Sequence, residues 1–381
     1  MVDISPGSMA MYDEAAELYQ SLTNRFIKSD SWAERYSENY TAKRFHDFVV
    51  AAYSMSSDTE IQRIFEEMVS HLESVPPLCT VYLIIWGLDI KLDSLELGLL
   101  TMTQLTSDKI SVIKQRLGDA TNKAHEWIHN EFIKDVAGKV LATYQVEAEP
   151  DRASERAVDE ARRVLDLLRY AAKPIHKSPF PPTILLQGDA IKSHRWAGVS
   201  DNYTSEIKLS WARLNKPILL EISDDCIPEL SRLGVFEVSA MLKKPRQQLT
   251  DFENILLRGL HWFSSAQQQD EVENKVLNLM TCIETYLTPR DGSPIVSSVS
   301  ENAALILGRT VAERKYIKRQ LKGLYQVRSG ISHGGQKSVS DIELGSLENL
   351  AGSLTMKLVE RAREFESQKD LLTWLEERRL Q

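Results

Sequence analysis

Near the C-terminal end the sequence reads Arg328-Ser329-Gly330-Ile331-Ser332-His333-Gly334-Gly335. These residue types can do acid–base and phosphate chemistry. An imidazole titrating near neutrality can take a proton from a hydroxyl or return one to a leaving oxygen. A guanidinium can hold a phosphate in its fork and stabilise charge as it develops.

The elements that carry these groups are amphipathic helices. Ile317, Leu321 and Leu324 recur at spacings of four and three, and the next step of four falls on Arg328. A second stripe, Leu277, Met280 and Leu287, has Glu284 in its intervening slot. Charges on inward faces are costly unless paired, so the pattern predicts that Arg328 and Glu284 approach each other. An ion pair without chemistry and a working site both remain open on spacing alone. On an ideal helix, Arg328 and His333 lie about 140° apart, so their convergence requires the helix to loosen between them. Gly330 permits that, and Gly334-Gly335 would end the helix. The other reading of His333 is a helix-end cap or dipole partner.

The stretch Gly323-Leu324-Tyr325-Gln326-Val327-Arg328-Ser329-Gly330-Ile331-Ser332-His333-Gly334, with Ile283-Glu284 upstream, resembles the signature of the HEPN superfamily in its Apea-like branch. The likeness spans about 250–367, roughly a third of the chain. It implies an all-α bundle and a metal-independent endoribonuclease in bacterial defence or a toxin-type stress response. Arg328 and His333 would be catalytic and Glu284 would orient Arg328, with Tyr325 and Ser329 lining the site. Only RNA offers the 2′-hydroxyl that such cleavage uses. One His per chain leaves either the acid or the base unsupplied, so the resemblance implies a two-fold homodimer with a composite site. No cofactor is expected. The position after the Arg, often Asn, Asp or His in the family's toxin branch, is Ser329. That keeps open a non-catalytic module that binds RNA or dimerises within a defence or toxin–antitoxin complex, with an inhibitor or antitoxin partner.

Arg314, Lys315, Lys318, Arg319 and Lys322 crowd the segment before the motif, and the last four share one helical face. They read either as a solvated face or as a track for RNA phosphates.

A rival of a different class is His125-Glu126-Trp127-Ile128-His129. On a helix the two imidazoles face one side, and Glu126 could serve as base to a zinc-bound water in a metallopeptidase. No further ligand is singled out. Gly330-Ile331-Ser332-His333-Gly334 matches G-x-S-x-G, but no strand signal precedes it and no histidine follows His333, so a hydrolase elbow is excluded. Walker A, dinucleotide and EF-hand patterns are absent from the sequence.

The 381 residues suggest two or three domains, with a normal globular balance of 43% apolar and 26% charged residues. The net charge of -8 argues against whole-surface attraction to nucleic acid or membrane, so any RNA contact must be local. Cys79, Cys226 and Cys282 form no paired motif and read as reduced thiols. No signal peptide is recognised, and the longest apolar run, Val81 to Trp86, is too short for a span. A cytoplasmic protein without membrane contact is expected.

The fold class expected is mixed. Residues 1–75 form a helical segment. Residues 76–245 form an α/β domain with a sensing or regulatory role. Residues 246–381 form the helical bundle. Strands are predicted at Val81–Trp86, along Leu95, Leu97 and Leu99, at Thr183–Leu186 and at Ile218–Ile222, with helices at about 108–136 and 154–172.

Overall fold

The computed structural model describes residues 13–27, 30–116, 123–176, 182–189, 196–200, 207–211, 218–288, 295–332 and 338–380. Its elements in chain order begin with helices α1 (Asp13–Ile27), α2 (Asp30–Ala33), α3 (Glu38–Tyr53) and α4 (Asp58–Glu73). Strands β1 (Leu78–Trp86), β2 (Leu88–Ile90), β3 (Leu95–Leu97) and β4 (Leu100–Gln104) follow. Next come α5 (Ser107–Arg116), α6 (Lys123–Val136), β5 (Val140–Glu147) and α7 (Pro150–Ile175). Short strands β6 (Leu185–Leu186), β7 (Trp196–Ser200), β8 (Ile207–Trp211) and β9 (Leu220–Ile222) lead to α8 (Ile227–Arg232) and α9 (Val235–Leu242). The chain then runs through α10 (Asp251–Gln268), α11 (Val272–Leu287), α12 (Ile295–Leu307), α13 (Val311–Ser332), α14 (Asp341–Glu360) and α15 (Gln368–Arg379). The architecture is therefore mostly helical, with a helical N-terminal region, a central sheet and a helical C-terminal region. No helix among the described residues is long and apolar enough to cross a membrane.

Contacts group the chain into two compact units, each assembled from separate stretches. One comprises Met1–Tyr82 with Thr143–Asp159, the other Leu83–Ala142 with Glu160–Gln381. The first unit packs Trp32, Tyr36, Phe45, Met68 and Leu72 into a core, with Tyr19, Phe26, Phe48 and Phe65 against it. There Glu149 caps the start of α7. Burial alone would raise its pKa, but backbone amides of Asp151, Arg152 and Ser37 donate to its carboxylate and bring it below the ordinary value.

The five-stranded sheet has the strand order β3-β4-β5-β1-β6, with β6 antiparallel to β1, and the second unit holds a separate parallel pair, β2 with β9. The expected strand along Leu95, Leu97 and Leu99 is instead a hairpin. Leu97 pairs with Leu100, and Gly98 turns the chain at φ 55°, a left-handed conformation natural to glycine. Strands β2, β5, β7 and β8 lie outside the expected strand positions. In β5 the run Val140-Leu141-Ala142 is buried on both faces and shows no alternation to read. The helical stretch expected at 108–136 is two helices, α5 and α6.

From Leu249 on, as expected, the described chain is helical. Among the described residues, four helices of this region begin with a reciprocal capping box: Thr250 with Glu253, Thr310 with Glu313, Ser340 with Glu343, and Ser367 with Asp370. The apolar stripes bury Val276, Leu279, Ile283 and Leu287 of α11, and Leu347, Ala351, Leu354 and Leu358 of α14. Helices α10 and α11 approach closely because Gly259 carries no side chain. The buried Tyr286 ring occupies the space a Cβ there would need, and its hydroxyl bonds Thr355 Oγ1 at 3.1 Å.

Gly259→Ala should therefore force the ring or the helix pair apart and destabilise the second unit by about 1–3 kcal/mol, as overpacking does. Urea denaturation followed by circular dichroism would check it. A variant as stable as wild type would show that the two helices have room to separate.

Candidate functional site

Helix α13 places the motif. Thr310 and Glu313 cap its start: the Glu313 carboxylate accepts from the backbone amides of Thr310 and Arg309, which lowers its pKa. Its inward face buries Leu321, Leu324, Tyr325 and Val327, while Ile317 is half-buried. The described part of α13 runs unbroken through Gly330 to Ser332. The loosening expected at Gly330 is thus not found. A glycine inside a helix lowers its stability without breaking it when flanking hydrogen bonds hold. His333, with Gly334 and Gly335, lies outside the described residues.

Arg328 and Glu284 come together. Arg328 Nη2 lies 3.3 Å from Glu284 Oε2, joining α13 to α11. The Glu284 side chain is 19% exposed and that of Arg328 37%, so the pair sits at the bundle wall with one end open to solvent. Two buried polar atoms beside it, Arg328 Nε and Tyr325 Oη, make no hydrogen bond. Burial, then the Glu284 charge, drives the Tyr325 pKa far above its ordinary value, with Arg328 opposing. Tyr325 therefore stays a neutral phenol, able to donate. Ser329, one turn after Tyr325, is exposed. A half-open guanidinium held by a carboxylate, with a neutral phenol alongside, can bind an oxyanion and stabilise added negative charge.

The basic residues of α13 divide. Lys318 Nζ is paired with Glu301 of α12 at 3.0 Å, and Arg314 Nε donates to the Gly308 carbonyl at 3.2 Å. Lys315, Arg319 and Lys322 are exposed, and at spacings of four and three they form one strip. Glu126 of the rival motif is exposed on α6, whereas the side chains of His125 and His129 lie outside the described residues.

Two clusters escaped the sequence reading. In one, Asp166 of α7 accepts from Ser264 Oγ of α10 at 2.6 Å and is bonded to His261 Nδ1 at 2.8 Å, with the buried Arg169 at 3.3 Å. The hydrogen bond to Asp166 raises the His261 pKa, partly opposed by burial. His261 and Ser264 lie 95 and 98 residues from Asp166, so no local spacing announces their meeting. The other gathers Arg361, Trp374 and Arg378 at the ends of α14 and α15. Only Trp374 and Arg378, four apart, could have been noticed. Comparison of the chain with family models, curated proteins and solved structures gives no match.

A histidine whose folded-state pKa is raised stabilises the fold below its unfolded-state pKa and loses that contribution as pH rises through the folded value. Replacing His261 with Ala should therefore destabilise the protein more on the acidic side of neutrality than at mildly alkaline pH. Denaturation curves at the two pH values would show it. An equal loss at both would mean that the Asp166–His261 bond is not tied to protonation.

Proposed function

We propose that this chain is a metal-independent endoribonuclease of the HEPN type, in its Apea-like branch, acting as a homodimer in bacterial defence or a toxin-type stress response in the cytoplasm. The observation that carries the reading is the Arg328–Glu284 pair. Two charges predicted from their slots in apolar stripes meet at 3.3 Å, and the guanidinium keeps an exposed side. The reading is also supported by Tyr325, whose phenol is held neutral beside that pair.

In the proposed reaction a ribose 2′-oxygen attacks the adjacent phosphorus and the bond to the 5′-oxygen breaks. The products are a 2′,3′-cyclic phosphate and a 5′-hydroxyl. One His333 takes the 2′-hydroxyl proton, and His333 of the second copy gives a proton to the departing 5′-oxygen. Arg328 binds the non-bridging oxygens, whose charge grows in the transition state. Glu284 fixes the guanidinium, while Tyr325 and Ser329 offer hydroxyl donors beside it. Lys315, Arg319 and Lys322 supply the exposed strip that holds flanking phosphates, and Arg314 and Lys318 add positive charge behind it.

The test is degradation of labelled RNA in the presence of a chelator. Arg328→Ala should lower the rate by about 10²–10³-fold and His333→Ala by about 10²–10⁴-fold, with melting curves unchanged for the latter. Mixed dimers of wild-type and His333→Ala chains should lose more activity than dilution explains. RNA that is bound but left intact by wild type would favour a non-catalytic RNA-binding or dimerisation module of a larger complex, with an inhibitor or antitoxin partner. Cleavage indifferent to both substitutions would end the nuclease reading.

A further inference from the structure

At the ends of the last two bundle helices, two arginines converge on one indole. The Arg361 guanidinium, at the C-terminal cap of α14, lies 4.0 Å from the centre of the Trp374 ring. Arg378, one turn beyond Trp374 in α15, lies 4.8 Å from the same centre. Phe365 braces the indole, ring centres 5.8 Å apart. Stacking on an aromatic face fixes a guanidinium's plane and leaves its N–H edge available.

The charges around this indole are not balanced. Arg361 is bonded to Glu364, through Nε at 3.0 Å and Nη2 at 2.6 Å. Among the described residues Arg378 has no ion pair or side-chain hydrogen bond, and it stacks on the indole. Burial lowers its pKa, and the charges of Arg314 and Arg361 lower it further. Three guanidiniums thus crowd together; Glu377 is the one carboxylate among the described lining residues, and Glu364 is engaged by Arg361. A half-buried cation with cationic neighbours is stabilised by binding an anion.

The shape agrees with the charge. Arg361, Trp374, Glu377 and Arg378 line an open hollow of about 350 Å³. That falls at the small end of ligand sites, far larger than an inorganic oxyanion needs. We propose that this hollow binds a phosphate group carried on an organic body of nucleotide size, the phosphate on the Arg378 and Arg361 edges and the body along Trp374. The same chemistry is offered by a free nucleotide and by a phosphate within an RNA strand. The site is separate from Arg328. Arg314, the α13 residue near it, stands 14 positions earlier in the same helix, roughly 21 Å along the axis. The proposal does not rest on the nuclease reading.

The experiment is calorimetric titration of the full chain with inorganic phosphate, adenosine 5′-monophosphate and a short 5′-hydroxyl RNA oligonucleotide. Saturable binding of the nucleotide or the oligonucleotide, tighter than that of phosphate, is expected. Preference between those two identifies the source. Arg378→Gln should weaken binding at least about tenfold, as loss of a charge-assisted contact does. Glu377→Gln should strengthen it, an outcome that misfolding cannot mimic. Arg328→Ala should leave adenosine 5′-monophosphate binding unchanged, which separates this hollow from the proposed cleavage site. Binding of none of the three ligands, binding no tighter than inorganic phosphate, or binding indifferent to residues 377 and 378 would overturn the proposal.

Discussion

Helix α11 is the shared wall of the C-terminal bundle, and its position constrains everything around it. It packs against α10, α12, α13, α14 and α15. Its register is set by Tyr286, seated where Gly259 of α10 leaves space and tied to Thr355 of α14. Glu284 stands two residues earlier, about 200° around the helix. Seating the tyrosine against α10 therefore turns the carboxylate away from that helix, and there it meets Arg328 of α13. A charge on a bundle helix is tolerated at such a depth because a partner arrives from the opposite helix. If α11 shifted by one residue, both the tyrosine and the carboxylate would lose their places together.

Three arginines of the second unit show how differently a guanidinium can be held. Arg169 is saturated. It donates twice to the Ile184 carbonyl, pairs with Asp166, and with the Gln268 amide turned toward it gains a further acceptor at 2.7 Å. Nothing is left for a ligand, and its work is to tie α7 to the segment of β6 and to α10. Arg328 is half satisfied, with one carboxylate at 3.3 Å and a buried Nε without an acceptor. Arg378 has, among the described residues, an aromatic face and no carboxylate partner. Unmet hydrogen-bonding capacity near solvent, rather than burial or charge alone, distinguishes the two arginines proposed for binding from the one that holds the fold.

The same contrast applies to the basic stretch of α13. As a string, Arg314, Lys315, Lys318, Arg319 and Lys322 look equivalent. Folded, Lys318 is spent on Glu301 and Arg314 on a carbonyl, so the exposed strip is Lys315, Arg319 and Lys322. Glu301 is also 3.6 Å from Arg379 of α15, so this carboxylate joins α12, α13 and α15 through ion pairs.

Much of the bundle was legible in the sequence because helix periodicity is local. The stripes of α11 and α14 could be read from spacing, and so could the anomaly of Glu284 and Arg328, since a charge in an apolar slot is visible without coordinates. The hairpin at Gly98 was not, because alternation along Leu95, Leu97 and Leu99 looks identical whether the chain continues or turns back. Nor were the Asp166–His261 link and the hollow around Trp374, whose members lie on different helices and acquire meaning only when those helices pack. Periodicity along the chain is enough to tell which residues face inward and which of them carry charge. Tertiary structure decided which charges were neutralised and which were left able to bind, because that depends on distances between segments remote in the chain.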